Sequence, residues 1–192
     1  MNLLSQLKNQ SKVVADTGDF ESMINFKPVD ATTNPTLIYK ATQNSKYNFL
    51  MDDAIAFAKS RFTNERTRRG LAMSKLFVNY GLEILKIVPG RVSSETDARL
   101  SFDTTGTVKK AREIISMYEE EGISRDKILI KIASTWEGIK AAKKLKKEGI
   151  HCNMTLLFSM PQAIACANAG VQLISPFVGR ILDWHKSEAK RS

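Results

Sequence analysis

Lys131 stands inside the run Ile-Leu-Ile-Lys-Ile-Ala, with apolar residues on both sides. Alternation along a strand puts Leu129, Lys131 and Ala133 on one face and Ile128, Ile130 and Ile132 on the other. On an interior strand the ammonium cannot reach water easily. Burial without a partner disfavours the charged form and raises the fraction of neutral amine able to attack a carbonyl. Schiff-base chemistry is what such a lysine would serve. An edge-strand lysine facing solvent, or one held in a structural ion pair, accounts for the run equally well.

Other residues able to bind or to move a proton fall at or near the ends of further apolar runs. Asp16 ends the first, Asn34 the second, Glu95 follows the third, Asn153 and Thr155 lie in the fifth, and Ser175 lies in the sixth. Asn153 and Thr155 are two apart and share a strand face, which also carries His151. Asp16 and Glu95 would supply the two carboxylates that general acid and base steps require. Each has a plainer reading: Asp16 as a helix cap or turn residue, Glu95 as a surface-loop acid, Ser175 as a strand terminator before Pro176. Arg180 offers a planar donor fork suited to a phosphate, against which stands an ion pair with Asp183.

The elements that must position these groups follow from the hydrophobic pattern. Short apolar runs at 13–15, 31–33, 85–92, 128–133, 152–156 and 173–177 read as strands. Segments of helical period at 47–61, 65–80, 105–121, 136–147 and 161–169 read as helices. Strand then helix, repeated, defines an α/β fold with a parallel sheet covered by helices. Ser134 and Glu137 form a capping-box pattern before the fourth helix, with Gly149 as its stop, and Gly122 closes the helix before the fourth strand. Between Pro35 and Leu85 there are two helices and no strand, so one βα unit carries an extra helix. An open doubly wound sheet and a (β/α)8 TIM barrel both fit. The first turn, Asp-Thr-Gly-Asp-Phe, lacks the Gly-rich signature of a nucleotide binder, and neither GxGxxG nor GxxxxGK[ST] occurs. The barrel is favoured, and its strand ends would ring one mouth.

The chain has 192 residues, 43% hydrophobic and 26% charged, an ordinary globular balance that excludes disorder and disulfide scaffolds. The whole of 1–192 reads as a single domain. No run approaches the roughly 18 apolar residues of a membrane span, and no signal-peptide core opens the chain, so a cytoplasmic location is expected. Two cysteines, Cys152 and Cys166, and two histidines are too few for a zinc site, and both cysteines read as core thiols. The net charge of +9 concentrates at 59–75, 136–150 and 185–192. Without interleaved aromatics these read as solvated helix faces rather than as a nucleic-acid interface.

The segments Ala-Asp-Thr-Gly-Asp at 15–19, Asp-Ala-Thr-Thr-Asn-Pro at 30–35 and the stretches at 92–102, 129–139, 152–159 and 173–184 resemble, in order, the strand-end motifs of transaldolases. The resemblance implies a barrel of the class I aldolase type. It also implies transfer of a dihydroxyacetone unit from a ketose phosphate, such as sedoheptulose 7-phosphate or fructose 6-phosphate, to an aldose phosphate in the non-oxidative pentose phosphate pathway. Lys131 would form the Schiff base and Asp16 would take the C4 hydroxyl proton. Glu95, as general acid and base, would hold with Thr155 the water that shuttles protons. Asn34, Asn153 and Ser175 would bind the dihydroxyacetone hydroxyls, and Arg180 the phosphate. No metal or organic cofactor is implied, since the protonated imine is itself the electron sink. Sugar phosphates are the expected ligands, and a homodimer is admitted.

The family runs for two further βα units, with a second phosphate-binding arginine near the seventh strand, whereas a typical barrel needs about 250 residues. The expectation is therefore a domain with six of eight units, a truncated form or fragment. Its alternative function is a non-catalytic fragment or oligomer partner that retains the motifs. A fructose 6-phosphate aldolase-type activity shares the lysine; Arg180 and the Asp-Thr-Gly-Asp start favour transaldolase.

Overall fold

The computed structural model describes residues 2–189. In chain order the main elements are α1 (Leu3–Gln10), β1 (Val14–Asp16), α2 (Phe20–Phe26), β2 (Asp30–Thr32), α3 (Pro35–Ala41), α4 (Asn48–Arg61), α5 (Glu65–Leu85), β3 (Val92–Glu95), α6 (Thr104–Glu120), β4 (Ile128–Ala133), α7 (Trp136–Lys146), β5 (His151–Leu157), α8 (Met160–Asn168), β6 (Leu173–Pro176) and α9 (Val178–Glu188). The six strands follow one another in sequence order in one sheet. The pairings β1 with β2, β2 with β3 and β5 with β6 are parallel, as βα repeats require.

The chain forms two compact units. One comprises the residues up to Glu95 together with Arg112–Leu129, and the other Thr96–Ala111 with the residues from Ile130 onward. In the first, Ile38, Leu50, Ala54, Leu76 and Tyr80 form a buried cluster bordered by Phe20, Ala41, Tyr47 and Phe77. Edge-on packing of Phe20 on Tyr47, centroids 4.7 Å apart, fixes α2 against the turn that precedes α4. In the second unit Ile130, Ile132, Ile139, Ala142, Leu145, Cys152, Met154 and Cys166 are buried.

Local chemistry explains most element boundaries. Asn34 caps α3 with Pro35 in its first turn, Asn64 caps α5, and Gly122 and Gly149 adopt φ of 77° and 72° after α6 and α7. Three expectations need correction. The run at 85–92 is not a strand: α5 continues to Leu85, and β3 begins only at Val92. Tyr80, Ile84 and Val88 are all buried at spacings of four, so the run extends a helix face before Pro89 and Gly90 turn the chain. Second, α7 is capped by Thr135, whose hydroxyl accepts from Gly138 N at 2.9 Å, and not by Ser134. The reciprocal capping box occurs instead at Ser159 and Gln162 of α8. Third, 35–85 holds three α-helices rather than two, because Asn34 and Pro35 nucleate α3.

Lys75, in the basic stretch 59–75, is buried and paired with Glu121, while Arg61 and Arg69 pair with Glu120 and Glu65. Lys190 and Arg191, part of the third basic stretch, lie outside the described residues. No helix among those described is long and apolar enough to cross a membrane.

Candidate functional site

In the second unit, β4 carries Lys131. The side chain is buried, with the residue 7% exposed, and all its β4 neighbours from Ile128 to Ile132 are buried as well. That burial excludes the solvent-facing edge lysine. Its backbone is held firmly: Lys131 C=O accepts from Thr96 N at 3.0 Å and from Thr96 Oγ1 at 3.3 Å. Thr96 has no counterpart among the residues expected from sequence, and no local pattern marks it, because its partner lies 35 positions away.

The end of β4 is tied to β5 by Ser134 N donating to Thr155 C=O at 2.7 Å. On β5, Asn153 and Thr155 are 1% and 2% exposed. Burying an amide, a hydroxyl and an amine on strands that an apolar core would fill more cheaply is costly unless each polar group is satisfied. Ser175 Oγ on β6 donates to Asn153 Oδ1 at 2.8 Å, so these two expected binding residues are brought into direct contact. Immediately after Thr155 the β5–β6 register slips: Met154 pairs with Ile174 but Leu157 with Pro176, leaving one extra residue on β5. Leu156 takes φ of 54°, a left-handed conformation rare for a branched side chain, at this bulge.

Arg180 lies in the first turn of α9 and is exposed. Among the described residues no ion pair joins it to Asp183. Phe177 precedes α9 without a side-chain cap, and its N–H donates to Leu157 C=O at 3.0 Å, anchoring the helix start to the end of β5.

In the first unit Asp16, Asn34 and Glu95 stand at or just beyond the C-terminal ends of β1, β2 and β3. Asp16 is in register with Thr32, and Thr32 with Ser93, so Asn34 and Glu95 each fall two residues beyond a registered pair. Asp16 is exposed and caps nothing; Asp19 caps α2 instead. Glu95 is half-buried and ends a strand rather than occupying a surface loop. Asn34 also caps α3, its Oδ1 accepting from Leu37 N at 3.0 Å, so its amide N–H groups and the second lone pair of Oδ1 are what it can offer a ligand.

None of the expected site residues lines the cavity of about 400 Å³ in the first unit, which is bordered by Asp53, Lys75, Asn79, Glu83 and Glu121. Both cysteines are buried, and burial pushes the Cys152 thiol up to about 12 and the Cys166 thiol upward as well, consistent with inert core thiols. Among the described residues no cluster of His, Cys, Asp and Glu has the composition of a metal site.

Parallel strands alternating with helices, with a buried lysine on the fourth strand, define an α/β protein built of βα units. The sequence model of the family Transaldolase/Fructose-6-phosphate aldolase matches residues 13–192, and the chain belongs to that family. It is 59% identical over 191 residues to a transaldolase of Actinobacillus pleuropneumoniae serotype 7 (strain AP76), covering 100% of this chain and 61% of the relative. To transaldolase A of Pasteurella multocida (strain Pm70) it is 58% identical over 188 residues, covering 98% and 59%. To a transaldolase of Thermosynechococcus vestitus (strain NIES-2133 / IAM M-273 / BP-1) it is 57% identical over 195 residues, covering 100% and 50%. The chain thus spans between half and about 60% of the length of these relatives.

Proposed function

We propose that the chain carries the Schiff-base chemistry of a transaldolase, moving a dihydroxyacetone unit from a ketose phosphate such as sedoheptulose 7-phosphate or fructose 6-phosphate to an aldose phosphate. The observation that supports this most is the burial of Lys131 within β4, in a chain that belongs to the family. The Lys131 amine adds to the C2 carbonyl of the ketose, and loss of water gives the protonated imine. Glu95 serves as general acid and base for that dehydration, through a water held with Thr155. Asp16 takes the C4 hydroxyl proton as the C3–C4 bond breaks, its electron pair passing to the imine to leave an enamine while the aldose phosphate departs. The enamine then adds to the acceptor aldehyde, and hydrolysis releases the new ketose phosphate.

In this reading Asn34, Asn153 and Ser175 bind the dihydroxyacetone hydroxyls. Arg180 takes the phosphate, supported by its exposed guanidinium beside the N-terminus of α9. The reading treats residues 1–192 as part of one (β/α)8 domain acting on sugar phosphates of the pentose phosphate pathway in the cytoplasm. A second reading is a non-catalytic oligomer partner that retains the family's motifs.

Incubation with fructose 6-phosphate and borohydride, followed by intact mass, separates the two. A three-carbon adduct on the parent chain and none on Lys131→Ala supports the transaldolase reading. A folded parent chain that acquires no adduct gives way to the non-catalytic one.

A further inference from the structure

Gln162, in the first turn of α8, makes an unusually complete set of hydrogen bonds for a half-buried side chain. Its Oε1 accepts from Phe158 N at 2.9 Å, Ser159 N at 3.1 Å and Ser159 Oγ at 3.2 Å. Its Nε2 donates to Ser134 C=O at 2.9 Å and to Leu156 C=O at 3.3 Å. The oxygen faces donors and the nitrogen faces carbonyls, so the network leaves one orientation of the amide.

The two carbonyls are informative. Ser134 is the residue immediately after β4, three beyond Lys131, and Leu156 is the left-handed residue at the β5 bulge, one beyond Thr155. At such places regular strand pairing stops and carbonyls need partners from elsewhere. One amide supplies both and clamps the end of the lysine strand to the end of the threonine strand. The Oε1 half of the group caps a helix, which many residues can do; the Nε2 half has no role in capping.

We propose that Gln162 is a positioning residue for the Schiff-base site, acting through the Ser134 and Leu156 carbonyls to hold Lys131 and Thr155 in their reacting arrangement. This rests on the transaldolase reading. Small displacements of reacting groups lower rate rather than affinity when the substrate is held elsewhere.

Glutamate separates the two halves, because Gln162→Glu keeps the capping acceptor and removes the donor. The test is the cyanoborohydride-trapping rate across fructose 6-phosphate concentrations and pH, with thermal melting of the parent, Gln162→Glu and Gln162→Ala. We expect Gln162→Glu to melt close to the parent yet trap roughly tenfold or more slowly at saturation, with little change in half-saturation. Its rate relative to the parent should recover as pH falls through the glutamate range, since a protonated carboxyl donates once again. Gln162→Ala should be as slow, melt lower and show no such recovery. Trapping by Gln162→Glu at the parental rate overturns the proposal, as does a slow rate with the same pH profile as Gln162→Ala. A folded parent chain that forms no adduct removes the transaldolase reading and the clamp's role with it, an outcome distinct from the other two.

Discussion

Ser175 Oγ donates to Asn153 Oδ1 at 2.8 Å, joining residues 22 positions apart on β6 and β5 into one polar unit with the asparagine almost fully buried. Removing the donor takes one partner from a buried acceptor, which costs about 1 to 3 kcal/mol. Ser175→Ala is therefore expected to lower the unfolding free energy measured by urea denaturation by that amount and to raise half-saturation for fructose 6-phosphate in the trapping assay by roughly tenfold. Ser175→Thr, which keeps the hydroxyl, should recover both. Parental stability and half-saturation in the alanine variant would show that the bond matters to neither stability nor binding.

Tight helix packing in the first unit meets at Gly81. A Cβ there would overlap Tyr118 Oη and come to 2.8 Å from Tyr118 Cζ, while that hydroxyl is fixed by Ser94 Oγ at 2.6 Å. Because Ser94 immediately precedes Glu95 on β3, the overlap cannot be relieved without moving a strand or α6. Gly81→Ala should destabilise by about 1 to 3 kcal/mol. Tyr118→Phe in the same chain should recover only part of this, since Cζ stays in the way. Thermal melts of the two single variants and the double variant measure the coupling.

Alkaline stability should depend on Tyr80. Burial, with a contribution from Tyr47, pushes its phenol from the ordinary 10.0 up to about 12. Folding thus favours the protonated form, and the stability linked to it is fully present below pH 10 and lost as pH rises through about 12. Tyr118 shifts in the same direction, also through burial. Tyr80→Phe should flatten, without abolishing, the decline of the urea midpoint across that window. At neutral pH it should change stability little, because among the described residues the Tyr80 hydroxyl has no hydrogen-bond partner. Parallel curves for parent and variant would refute the assignment.

Phosphate recognition by Arg180 predicts selectivity rather than a general loss. Arg180→Ala should raise half-saturation for fructose 6-phosphate by roughly 10- to 100-fold, the range of one to two charge-assisted hydrogen bonds. Trapping of dihydroxyacetone, which has no phosphate, should be unchanged, and so should the melting temperature, because the side chain is exposed and unpaired with Asp183. Arg180→Lys should fall between, keeping the charge and losing the planar fork.

How far the sequence could be read varies with the range of the interactions involved. The fourth strand at 128–133 coincides with β4 because six consecutive residues carry the whole signal. Helix stops at Gly122 and Gly149 were equally legible, since a left-handed residue after a helix is a local requirement. The run at 85–92 reads as a strand because Leu85, Ile87 and Val88 are apolar enough for one, and only the structure shows that α5 continues to Leu85 and that β3 begins at Val92. Ser134 and Thr135 are both good capping residues one position apart, and only the backbone path selects Thr135.

For the candidate site the division is sharper. Residue types along the chain determined that a lysine sits in an apolar strand and that acids, amides and hydroxyls recur at strand ends, because periodicity and composition are properties of contiguous residues. Tertiary structure alone decided that Lys131 is buried, that Thr96 holds its carbonyl, that Asn34 spends its side-chain oxygen on a helix cap and that Ser175 reaches Asn153. It also decided the bulge at Leu156 and the clamp that Gln162 places beside it. Hydrogen-bond partners are chosen by distance in space, and a side chain's partner many positions away leaves no periodic trace in the chain that carries it.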